Sequence, residues 1–264
     1  MSLEPRAMDL LASLTPDGVS PAAAALVVAA SFFTAALTAS FGLGGGLALL
    51  AVMSTLFPPA AVIPVHGVAQ LGANLSRFGL QRRDVVWPII LWFGLGGLIG
   101  TAAGGRLFVA LPEEALRAAV GFFVLFTVWG PKPKGFAPGA KSFFLTGLVG
   151  SFLTMFFGAT GPIAATMLST TTLDRLKIVA THAGCMVVQH ALKTIAFGLL
   201  GFAFADWALL VLAILAAGFL GSWGGTKLLR SMPEENFRKG FRAVLTFFGV
   251  YLLAAALWAA LRTG

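Results

Sequence analysis

The chain has 264 residues, of which 58% are hydrophobic and only 11% charged, against about 25% charged in a soluble domain. This composition excludes a soluble globular protein and leaves a polytopic membrane protein. The formal net charge is +8, but most basic residues flank apolar runs, where they read as topology determinants and not as a nucleic-acid surface.

Residues 1–20 hold Glu4, Asp9 and Asp17 against Arg6 alone. They lack the basic start of a signal peptide and read as a short polar leader. The first apolar run, Pro21 to Ser40, is long enough for one membrane helix. A glycine cluster, Gly42-Leu43-Gly44-Gly45-Gly46, breaks it, and a shorter run follows to Phe57. The third run, Ala60 to about Leu80, ends at Gln81-Arg82-Arg83-Asp84. The fourth covers Val85 to Val109, and Leu111-Pro112-Glu113-Glu114 turns into a fifth that ends near Trp129. A linker rich in proline and lysine, 131–141, follows.

Beyond the linker the order repeats. Phe143 to Phe157 is apolar, and Gly158-Ala159-Thr160-Gly161-Pro162 breaks it where the first half has its glycine cluster. A short run to Thr172 leads through Asp174-Arg175-Leu176-Lys177 into a long run, and Trp207 to Leu229 is next. Gly221 and Gly225 then match Gly100 and Gly104, and Met232-Pro233-Glu234-Glu235 matches Leu111-Pro112-Glu113-Glu114. The offset shifts once, from 116 to 121. The expected fold is therefore all-α and polytopic, with two homologous repeats, 21–130 and 142–264, of about five helical segments each. If every segment crosses, the basic residues collect on one side, which should be cytoplasmic, with both termini outside. Five segments is an odd number, so the halves are expected to be inverted. The short second and seventh runs read either as crossings or as re-entrant half-helices.

Two polar stripes stand out within the apolar runs. His66, Gln70, Asn74 and Arg77 step along one helix, and His182, Cys185, Gln189 and Lys193 along another, with His190 beside them. His66 and Arg77 match His182 and Lys193 in register at the 116 offset. Eleven residues make three turns plus about 20°, so each pair faces one way. All ten carboxylates fall in the leader or at helix ends. A cation path needs hard negative ligands, and what is buried here has the opposite sign, so the lining favours an anion.

Each of these residues has a plainer reading. Arg77 is close enough to Arg82 to snorkel to the interface, and the histidines could bond backbone carbonyls in a core. Gln70 and Gln189 could simply join helices, and Cys185 reads as a small buried residue. The glycine clusters read either as close packing or as broken helices whose free N–H groups, with the Thr160 hydroxyl, face an anion.

A glycine cluster after the first apolar run, a second near mid-chain and two homologous halves resemble the TauE/SafE sulfite-exporter family, also called TSUP. The resemblance covers about Ala22 to Leu261. It implies a secondary carrier for sulfite, sulfoacetate and related small anions, usually in export. Gly42, Gly44, Gly45 and Gly46 carry its first motif, and Gly158 and Gly161 its weaker repeat.

Together these readings predict an anion exporter of a bacterial-type inner membrane, working by alternating access, with no enzymatic activity and no cofactor or resident metal. Expected partners are a small anion and the lipid bilayer, with homodimerisation left open. Gly44, Gly45, Gly46, His66, Gln70, Asn74, Arg77, Thr160, Gly161, His182, Gln189 and Lys193 are the expected substrate-binding residues. The alternative is a transition-metal transporter using His66, His182, His190 and Cys185 as soft ligands.

Overall fold

Glycine and proline breaks divide the apolar chain into ten α-helices among the residues that the computed structural model describes, 15–41, 44–108, 113–130, 138–229 and 234–263. These are α1 (Pro21–Phe41), α2 (Gly45–Leu56), α3 (Pro59–Leu80), α4 (Trp87–Phe108), α5 (Glu113–Trp129), α6 (Ala140–Phe157), α7 (Gly161–Leu168), α8 (Arg175–Leu199), α9 (Ala208–Leu229) and α10 (Glu234–Thr263). No strand occurs among the described residues. Most of the polar leader (1–14), Gly42 and Leu43, the prolines of the two Pro-Glu-Glu turns and most of the linker (131–137) lie outside them.

The helix ends follow local chemistry. The Asp174 side chain accepts from the Lys177 N–H at 3.0 Å and caps α8. That bond holds the Asp174 carboxyl below its usual range. Pro162 sits in the first turn of α7, where its missing N–H leaves nothing unpaired. Gly44, at φ 102°, and Gly158, at φ 77°, make the two breaks in a backbone region that favours glycine.

The chain reverses at both breaks. Gly45 lies so close to the Thr34 carbonyl that a β-carbon would collide with it, which brings α2 back along α1. The Thr160 hydroxyl donates to the Gly150 carbonyl at 2.9 Å, folding the second break onto α6. With 12 and 8 residues, α2 and α7 are about 18 Å and 12 Å long, too short for a hydrocarbon layer of about 30 Å. They are half-helices, one of the two readings the sequence allowed.

Burial is inverted relative to a water-soluble protein. Leu91, Leu95, Leu98 and Ile99 of α4 and Leu212, Phe219, Leu220 and Trp223 of α9 are exposed, while His66, Gln189 and Lys193 are buried. A lipid solvent accounts for that pattern. Among the described residues, four helical segments are long and apolar enough to cross a membrane: Pro21–Thr38, Trp87–Phe108, Ala140–Phe157 and Phe204–Trp223.

Contacts between the halves exchange residue for residue. α4 packs on α6, and α9 packs on α1. Gly100 of α4 abuts the Leu148 carbonyl, and its counterpart Gly221 abuts the Phe32 carbonyl, where Phe32 and Leu148 are themselves counterparts. Gly147 faces the Phe93 carbonyl, and its counterpart Ser31 donates to the Ile214 carbonyl at 2.9 Å. Helices α3 and α8, which carry the polar stripes, pack on each other, as do α5 and α10.

Candidate functional site

The polar stripes of α3 and α8 meet the two helix breaks, and the first contact occurs twice. His66 Nε2 lies 2.8 Å from the Gly46 carbonyl, and His182 Nε2 lies 3.1 Å from the Gly161 carbonyl. Each repeat-related histidine thus holds the first turn of its own half-helix. A carbonyl oxygen only accepts, so both Nε2 atoms carry the proton.

The first half contributes a continuous strip. Gln70 reaches back to Gly46, where a β-carbon would come within 2.8 Å of its Oε1. Asn74 is buried; its amide donates to the Gln70 carbonyl at 2.7 Å and its Oδ1 accepts from Arg77 at 2.8 Å. Arg77 is half-buried, turned along its own helix, and within electrostatic range of His182 and His190. Gly44 and Gly45 set the entry of α2, and Gly45 is spent on packing against α1.

The second half contributes the charge. Lys193 is 0% exposed, and its Nζ donates to the Gly158 carbonyl at 2.8 Å. Among the described residues no carboxylate lies within ion-pair distance of it; the one ion pair seen joins Lys177 to Asp174. A charged group at the bilayer centre costs about 2.5–3.5 kcal/mol, and one carbonyl uses only one of the three ammonium protons. Gln189 Nε2 donates to Thr160 Oγ1 at 3.0 Å and lies 3.4 Å from Ser151 Oγ, so α8 also grips the second break.

The two strips converge. The His66 and His190 rings are 6.2 Å apart, edge to face, and Lys193 lies within electrostatic range of both. The expected residues therefore gather around α3, α8 and the two breaks. Cys185 is buried among apolar side chains of a neighbouring core cluster. Among the described residues no group of three or more His, Cys, Asp or Glu side chains is placed to hold a metal ion.

Sequence reasoning missed Gly158 as the carbonyl that receives Lys193, and also Gly67. A β-carbon at Gly67 would come within 2.8 Å of Lys193 Cε. The signal was present: a glycine beside His66, inside a helix with no turn to explain it.

The family model for sulfite exporter TauE/SafE matches residues 27–252. A relative described as a probable membrane transporter protein, from Haemophilus influenzae, is 29% identical over 194 residues, covering 67% of this chain and 74% of its own. No solved structure matches the chain. The long apolar helices, the lipid-facing exterior and a match across most of the chain converge: this protein belongs to the TauE/SafE sulfite exporter family, a family of multi-pass membrane transporters.

Proposed function

We propose that the protein is a secondary transporter that exports a small anion, sulfite or an organosulfonate, by alternating access. The observation that carries this reading is Lys193, a fully buried cation with no carboxylate partner among the described residues, positioned at a helix break. A bound anion offsets its cost of burial and takes the ammonium protons that Gly158 leaves free. The first-turn N–H groups of α2 add donors of the same sign. Pro162 removes one such donor from α7, so the two breaks contribute unequally.

Inverted repeats fit the residue-for-residue exchange of contacts between halves and the odd number of segments in each. Rocking of one repeat against the other exposes the site to alternate sides. With the basic loops cytoplasmic, both termini lie outside. An inside-negative potential of 100 mV contributes about 2.3 kcal/mol per elementary charge, which drives a monoanion outward without a coupling ion.

A thermal-shift screen of purified protein tests this. Sulfite, sulfoacetate, 2-hydroxyethanesulfonate, sulfate, acetate, Ni²⁺ and Zn²⁺ would be compared on wild type and Lys193→Met. A ligand that binds only the native state raises the melting temperature. Sulfite or a sulfonate should raise it in wild type and not in Lys193→Met; a response to metals alone would end the anion reading.

A further inference from the structure

Resting on the anion reading above, we infer that the site selects an oxyanion that also carries a hydrogen-bond donor, with His66 Nδ1 receiving that donor while Lys193 binds the charge. The tautomer carries the inference. The Gly46 oxygen takes the Nε2 proton of His66, and a neutral imidazole has only one. Nδ1 is then a bare acceptor, and it is buried without a hydrogen-bond partner.

The Gly158 oxygen, which takes Lys193 Nζ at 2.8 Å, also lies beside the His66 ring. That shared neighbour places the ammonium and the His66 imidazole around one small volume. Gln189 supplies a second unpartnered acceptor one turn from Lys193. Thr160 donates its own proton to Gly150, so only the Gln189 N–H can face the Thr160 oxygen. The amide orientation follows, and Oε1 is left buried without a partner.

A bare oxyanion would satisfy Lys193 and face these acceptors with lone pair against lone pair. A hydroxyl- or amino-bearing sulfonate, or a protonated oxyanion, satisfies both. A buried polar group left unpaired costs about 1–3 kcal/mol, a factor of roughly 5 to 150 in affinity, and sites built to bond a hydroxyl reject the analogue lacking it.

Two sulfonates of equal charge and nearly equal size make the test: 2-hydroxyethanesulfonate and propane-1-sulfonate, titrated by calorimetry into purified full-length protein. Wild type should bind the hydroxyl compound at least about tenfold more tightly. In His66→Phe the ratio should fall to near one, and His66→Gln, which can present an amide oxygen, should restore part of it. Equal affinities in wild type would overturn the inference, as would a ratio that survives in His66→Phe. The wild-type comparison decides the matter if neither variant folds. Failure of the underlying anion reading looks different: neither sulfonate binds wild type, or both bind Lys193→Met as well as wild type.

Discussion

Lys193 of α8 donates across 2.8 Å to the backbone carbonyl of Gly158, the positive-φ glycine that ends α6. The side chain reaches there by passing over Gly67 of α3, where the lack of a β-carbon leaves it room. Gly67→Ala should therefore push the ammonium away from the break while leaving the backbone intact. Anion affinity should weaken by about 1 kcal/mol, near fivefold, with the melting temperature of the ligand-free protein little changed. Calorimetric titration with the best ligand checks this.

Adjacent glycines of the first cluster should respond in opposite ways. A β-carbon at Gly45 meets the Thr34 backbone, which cannot yield, whereas one at Gly46 meets the end of the Gln70 side chain, which can. Gly45→Ala should lose about 1–3 kcal/mol of stability through overpacking, seen as a lower melting temperature or failed expression. Gly46→Ala should fold, displace Gln70 and reduce transport.

Thr160 ties three elements together, donating to Gly150 and accepting from Gln189. Thr160→Val keeps the shape and removes both bonds, leaving the Gln189 amide and the Gly150 carbonyl short of partners. Stability should fall by about 1–3 kcal/mol, measured by thermal melting in detergent.

Orientation is testable from a cysteine-free background, since Cys185 is the single cysteine. Arg83 and Asp206 are both exposed, at opposite ends of the bundle in the proposed topology. In whole spheroplasts a membrane-impermeant maleimide should label Asp206→Cys, and should label Arg83→Cys only after permeabilisation. The reverse pattern would place the termini in the cytoplasm.

Much of this organisation was legible in the sequence because membrane solvent makes each polar residue informative. Ten segments, their breaks and the 116-residue register between His66 and His182 come from composition and spacing alone. The sequence left the course of α2 and α7 open between crossings and half-helices, because direction depends on contacts such as Gly45 with Thr34, which a linear chain does not display. Bonding of the histidines to backbone carbonyls was one of the readings the sequence allowed, and the structure shows it for His66 and His182. Spacing put His66 and His182 on the expected faces, but only the carbonyls at Gly46 and Gly161 reveal which ring nitrogen is occupied. His190, whose counterpart is Asn74 and not a histidine, looked marginal in sequence and stands beside His66 in the fold.

Flux through the isolated protein tests the central claim most directly. Purified protein in liposomes loaded with radiolabelled sulfite, under a potassium-diffusion potential set by valinomycin, reports both substrate and charge movement. Wild type should release sulfite faster when the interior is negative, and Lys193→Met should reduce that release at least about tenfold. Release unaffected by Lys193→Met, or no release above protein-free liposomes, would contradict an anion exporter centred on Lys193.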